Sequence, residues 1–109
     1  MLKKNHSIRK QTEIQEIFKL GKTYKNNSLL AKVKDNNLNK YRMTVIVSSK
    51  VCSKAVDRNK IKRQIKYFFL KEIKNKEQNK DFIFVALPGI KSLSTQDLKL
   101  SVKKIISLV

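Results

Sequence analysis

Two glycines and one proline among 109 residues leave no material for a glycine-rich phosphate cradle, and neither a Walker nor a dinucleotide-binding fingerprint is present. With Cys52 the only cysteine, no internal disulfide can form. With His6 the only histidine, there is no Cys/His cluster for a structural zinc. A single unpaired cysteine fits a reducing, cytoplasmic setting. No apolar run approaches the roughly 18 residues of a membrane span, and the opening Met-Leu-Lys-Lys-Asn-His is too polar for a signal peptide.

Acid is the scarcest of the charged types. The eight Asp and Glu residues are Glu13, Glu16, Asp35, Asp57, Glu72, Glu77, Asp81 and Asp97, and they read as scattered over helix surfaces and loops. A metal-dependent nuclease needs carboxylates converging on cations about 3.5 to 4 Å apart, and acid/base cleavage of RNA needs paired titrating groups. His6 stands alone in a basic lead-in and reads as an exposed bystander, and Cys52 reads as a filler of loop or core. No catalytic residue and no metal ligand is therefore expected in the chain.

What is present in excess is positive charge. Twenty-six Lys and Arg give a formal charge of +18, a self-repulsion that a compact fold tolerates best beside a polyanion: RNA, DNA or an anionic membrane. The cations are interleaved with aliphatic residues, hydrophobic content is 40%, and the run Phe82-Ile83-Phe84-Val85-Ala86-Leu87 is unlike a disordered basic tail. Residues 1–109 are expected to fold as a single domain, with 1–11 as a basic N-terminal arm or loosely docked lead-in.

The elements read in the order α-β-β-β-α-β-α. A first helix is predicted over Glu13 to Leu20, with Thr12 as its cap, Ile14, Ile17 and Phe18 as its apolar stripe, and Gly21 just past its end. Lys22 to Tyr24 and Ser28 to Lys34 form a hairpin across Lys25-Asn26-Asn27, whose asparagines tolerate left-handed backbone. Leu29, Ala31 and Val33 make its apolar face. Arg42 to Ser48 reads as a central strand, because its β-branched residues continue across both faces. After a polar loop, Ser49 to Ser53, the main helix runs from about Lys54 or Arg58 to Asn75, burying Ile61, Ile65, Phe68, Phe69 and Ile73. Phe82 to Leu87 is a short buried strand stopped by Pro88-Gly89. A final helix starts near Ser94 or Thr95, with Leu98, Val102, Ile105 and Val109 inward.

The main helix carries the functional signal. Arg58-Asn59-Lys60-Ile61-Lys62-Arg63-Gln64-Ile65-Lys66 places five cations in nine residues, and no acid occurs between Arg58 and Lys71. Solvated helix faces interleave Glu with Lys for support at i,i+4. An uncompensated basic face is instead suited to phosphates. Lys60, Arg63, Tyr67, Lys71 and Lys74 step along the side opposite the isoleucines. Arginines can fork onto phosphate oxygens, and Asn59 offers both donor and acceptor to a base edge or sugar hydroxyl. Phe18, Tyr24 and Tyr67 are candidates to stack on unpaired bases, Phe18 being equally suited to the core. A membrane-surface role is disfavoured because the strands need the helix's aliphatic stripe for their own core.

The segment Ala55-Val56-Asp57-Arg58-Asn59-Lys60-Ile61-Lys62-Arg63-Gln64-Ile65-Lys66 resembles the signature of the protein subunit of bacterial ribonuclease P, an Arg-Asn-Arg-Ile-Lys-Arg core preceded by an Ala-Val pair. Leu2-Lys3-Lys4, Phe18-Lys19-Leu20-Gly21 and Val47-Ser48-Ser49-Lys50 also have counterparts, so the resemblance covers nearly the whole chain. It implies a single-domain α+β sandwich related to a ribosomal-protein fold. It further implies a left-handed β-α-β crossover through residues 54–75, where general statistics favour the right-handed form. In that family a large RNA is the catalyst, its bound magnesium ions cutting the 5′ leader from precursor tRNA, and the protein alone is expected to be inactive. The resemblance assigns contact with the catalytic RNA to Arg58, Asn59, Lys60, Lys62, Arg63 and Lys66. It assigns a cleft for the single-stranded leader to Lys10, Ile14, Phe18, Lys32, Ser49 and Lys50. It implies no cofactor held by the protein and no obligate protein partner.

The chain departs from the family pattern in four places. Lys60 replaces the second arginine and loses its planar fork. Ile14 stands where an aromatic is common and Lys32 where a tyrosine is common, which shifts the cleft from stacking toward charge. Ser53-Lys54 replaces a typical Gly-Asn in the loop before the helix. The competing reading is a ribosomal protein that binds structured rRNA, for which size, charge and fold type are equally suitable.

Overall fold

The hairpin is built from a tight turn and a strict alternation. β1 (Lys22–Asn26) and β2 (Leu29–Asp35) pair antiparallel, and Asn27 between them takes the left-handed backbone at φ 53°. Leu29, Ala31 and Val33 are buried on one face of β2, as the alternation requires. The computed structural model describes residues 6–74 and 79–109. The Leu2-Lys3-Lys4 motif, Glu77 and the expected end of the main helix at Asn75 lie outside the described residues.

β2 also pairs antiparallel with β4 (Lys80–Ala86), and β4 pairs in parallel with β3 (Arg42–Ile46), giving a sheet of order β1-β2-β4-β3. β4 is thus central and β3 lies at the edge, which corrects the expectation of a central β3. The outer side of β3 is covered by the N-terminal lead-in: Ser7 bridges Met43 in parallel and the Ile8 N–H donates to the Met43 carbonyl at 3.2 Å. A docked flanking segment covers the outer edge of the strand much as a neighbouring strand does, while the helices cover its faces, so the β-branched run could not tell the two apart.

The docking also corrects the reading of His6. Its ring is half-buried, stacked on Tyr41 at 4.1 Å, and Nδ1–H donates to the Tyr41 carbonyl at 2.7 Å.

Three helices complete the order α-β-β-β-α-β-α: α1 (Gln11–Leu20), α2 (Ala55–Ile73) and α3 (Thr95–Leu108). α1 begins two residues before the predicted Glu13. The Ile14 N–H already donates to the Lys10 carbonyl at 3.1 Å, so Lys10 is the cap residue and Thr12 sits inside the first turn. Gly21 has φ −76°, so left-handed backbone is not its reason for being glycine. A Cβ there would lie 2.6 Å from the Ile17 carbonyl oxygen and 3.0 Å from that of Val33, a close approach that only glycine permits. At α3 the Ser94 hydroxyl accepts from the Asp97 N–H at 3.0 Å, making Ser94 the cap.

The sheet separates two apolar layers. On one face α2 and α3 bury Ile61, Ile65, Phe68, Phe69, Leu98 and Val102 against Ala31, Val45, Phe82 and Phe84, and Cys52 fills the same core. On the other, α1 and the lead-in bury Ile8 and Ile17 against Ile83.

Candidate nucleic-acid interface

The periodicity of α2 decides which of its residues meet solvent. Ile61, Ile65, Phe68, Phe69 and Ile73 are buried, as predicted, and Lys60, Arg63, Tyr67, Lys71 and Lys74 are all exposed on the other side. Among the six expected RNA contacts, Asn59, Lys60 and Arg63 are exposed, while Arg58, Lys62 and Lys66 are half-buried at the margin of the core. Asp57, the acid just before the run, is paired with Lys91 at 3.4 Å. That contact and the Gln64 to Thr95 hydrogen bond at 3.5 Å fix the flank that faces α3. At about 3.6 residues per turn, Asn59, Lys62 and Lys66 fall on the opposite flank.

Arg58 does something the sequence did not disclose. Its NH1 donates to the carbonyls of Cys52 at 3.0 Å and Ser53 at 2.8 Å, so part of its fork is committed to the chain itself. The same loop is closed at its start by the Ser48 carbonyl, which accepts from the N–H groups of Val51 at 3.2 Å and Cys52 at 3.1 Å. Ser49 and Lys50 are exposed in this loop, as are Ser48 and Ser53 at its ends. Arg58 therefore links the basic helix to the segment carrying two of the expected leader contacts.

α1 crosses the other face of the sheet with two unlike flanks. On one, Glu13 accepts from Arg42 at 3.0 Å and Glu16 pairs with Lys34 at 3.6 Å. Toward the other lie Ile14, which packs with Ile46 and Val85 at the margin of the small core, and Phe18, which is 37% exposed. Strand register puts Leu30 opposite Val85 and Lys32 opposite Ile83, so Lys32 projects from the α1 face of the sheet, where its ammonium donates to the Thr23 hydroxyl. Ile14, Phe18 and Lys32 thus share one face. Lys10 is exposed at the start of α1, and Ser49 and Lys50 follow the end of β3. Among the described residues, no side-chain hydrogen bond or ion pair joins one expected contact residue to another.

A buried polar network supports this face, and sequence reasoning missed it. Asp81 is 4% exposed in β4, not on a surface or loop as expected. It accepts from Arg42 Nε at 2.9 Å, Arg42 NH2 at 2.7 Å and Asn36 Nδ2 at 2.7 Å. Arg42 reaches on to Glu13, fastening α1 to the sheet. Hydrogen bonding to Asp81 raises the Arg42 pKa, outweighing the burial that lowers it, and Glu13 adds to the rise. The guanidinium stays charged at any working pH. The available signal was weak: Arg42 opens one strand and Asp81 lies near the start of another, but only the parallel register places them opposite. Among the described residues no three His, Cys, Asp or Glu side chains gather to hold a metal.

The structure is thus a small α+β fold that carries on one side of its sheet a helix without acid between Arg58 and Lys71, and on the other the half-exposed Ile14, Phe18 and Lys32. The family profile described as Ribonuclease P matches residues 2–108, and the chain belongs to the ribonuclease P protein family. It is similar to the Ribonuclease P protein component of Bacillus pumilus, with 33% identity over 103 residues, 94% of this chain and 86% of the relative. It superposes on the RNase P protein of Staphylococcus aureus with a TM-score of 0.86 at 28% identity, covering 94% of each chain. A second Staphylococcus aureus structure, of an RNase P protein mutant with defective mRNA degradation activity, matches with a TM-score of 0.87 at 30% identity, covering 96% of this chain and 88% of that one. Family membership places the chain in tRNA processing, as the protein component of the ribonuclease P holoenzyme.

Proposed function

We propose that this protein binds the catalytic RNA of ribonuclease P along α2 and holds the single-stranded 5′ leader of precursor tRNA in the groove between α1 and the sheet. The observation that carries the reading is the exposed, acid-free run of cations on α2, for which phosphates are the natural counter-charges. Asn59, Lys60, Lys62, Arg63 and Lys66 meet the catalytic RNA, with Arg58 contributing the part of its guanidinium that the loop does not use. Lys10, Lys32 and Lys50 attract the leader backbone, Phe18 stacks on a leader base, and Ile14 and Ser49 complete the groove.

The protein's part is to position and to neutralise. Magnesium bound by the RNA would supply the activated water and stabilise the leaving oxygen, and among the described residues no carboxylates gather to hold such an ion, Glu13 and Asp81 both being held by Arg42. The RNA-free chain is accordingly inactive toward precursor tRNA. The buried thiol of Cys52 suits a cytoplasmic setting.

The test is the salt dependence of leader recognition. If about four phosphates of a single strand are neutralised, the preference of the holoenzyme for precursor over mature tRNA falls with a log–log salt slope near −3. A slope near zero removes the leader from the proposal. Co-purification with ribosomal subunits and no effect on tRNA 5′ ends would favour the ribosomal-protein reading.

A further inference from the structure

The groove and the inner flank of α2 leave one strongly charged surface unassigned, the outer seam between α2 and α3. α2 is tied to the turn before α3 by Asp57 with Lys91 and, further along, to α3 itself by Gln64 with Thr95. Another turn along each helix brings exposed Tyr67 and Lys71 on α2 level with exposed Lys99 on α3. The Lys71 ammonium sits 4.7 Å above the Tyr67 ring. A hydrogen bond and charge from Lys71, with a further contribution from Lys99, lower the Tyr67 pKa despite the desolvation that raises it, so two cations act on one phenol. Among the described residues, no unpaired acid lies in the seam: Asp57 is paired with Lys91, and helical spacing turns Glu72 and Asp97 to other flanks.

We propose that Tyr67, Lys71 and Lys99 form a second RNA contact that takes the phosphate backbone of a paired RNA segment, on the opposite side of the sheet from the proposed leader groove. This rests on the proposed function and extends it, because the catalytic RNA is then gripped at two places. Paired rather than unpaired RNA follows from the chemistry of the seam. Tyr67 has one ring face under Lys71 and meets Phe68 edge-on at 5.7 Å, so it is poorly placed to stack on a base. A ridge of ammonium groups offers phosphates the contact that a paired segment can supply without unstacking. The hydroxyl of exposed Tyr67 adds a hydrogen-bond donor to a phosphate oxygen.

The test is equilibrium binding of the full chain to a bacterial ribonuclease P RNA across a potassium chloride series. Lys71→Gln/Lys99→Gln is compared with Lys25→Gln/Lys104→Gln, which removes the same charge from exposed positions elsewhere. Loss of two phosphate contacts makes the log–log slope shallower by about 1.8 for the seam variant and leaves it unchanged for the control. Leader recognition stays at its wild-type slope in both. Tight binding with an unchanged slope in the seam variant, or equal changes in the two variants, overturns the second contact alone. Failure of the wild-type chain to bind this RNA overturns the functional reading as well.

Discussion

Asp81→Ala is expected to lower stability by about 3 to 5 kcal/mol, because it strands a buried guanidinium without its counter-charge. The Arg42 side chain is 15% exposed and that of Asp81 5%, so water does little to replace the lost partner. Asn36 loses an acceptor at the same time. Urea denaturation of the two proteins measures the difference. Arg42→Met/Asp81→Leu should recover part of the loss, since an apolar pair leaves no uncompensated charge. Arg42 also holds Glu13, so α1 loses one of its fastenings and the proposed leader groove loses a fixed wall. A loss below about 1 kcal/mol would mean the pair is solvated and that α1 is held by Ile14, Ile17 and the Glu16–Lys34 pair instead.

Phe69→Ala carries an effect of similar size in the other layer. Phe69 is fully buried and meets Phe82 at 5.0 Å, Phe84 at 5.7 Å and Tyr41 at 5.5 Å, all edge-to-face. Removing the ring leaves a cavity at the junction of α2, β4 and the residue before β3, costing about 3 to 5 kcal/mol. Phe69→Leu keeps most of the volume and should cost less. Because Phe69 braces α2 from behind, binding of the catalytic RNA should fall together with stability in the alanine variant. Calorimetry or urea denaturation checks the first part and RNA binding the second. Unchanged stability would contradict the core described above.

The elements read from sequence succeed where one chain segment reports on itself. Ile61, Ile65, Phe68, Phe69 and Ile73 repeat at helical spacing and are the buried residues of α2, and Leu29, Ala31 and Val33 alternate and are buried in β2. The exposed side of the basic helix follows from the same periodicity. Pairing between distant segments was not legible. Nothing in Arg42 to Ser48 distinguishes a central strand from an edge strand covered by Ser7 and Ile8. Arg42 and Asp81, 39 residues apart, meet only through the β3–β4 register. The clasp of Arg58 on the Cys52 and Ser53 carbonyls was hidden for a related reason. A cation in a basic run looks like a phosphate ligand until its actual acceptors are seen. The Lys71, Tyr67 and Lys99 seam required the packing of α3 on α2, which helix periodicity alone does not fix.

The central claim is that this basic chain serves a catalytic RNA and does not cut by itself. It is tested by measuring precursor tRNA cleavage at low magnesium with the purified protein, with a bacterial ribonuclease P RNA, and with both together. The account predicts no 5′ processing by the protein, little by the RNA, and strong stimulation when they are combined. Processing by the RNA-free protein, or no stimulation of the RNA, would contradict it.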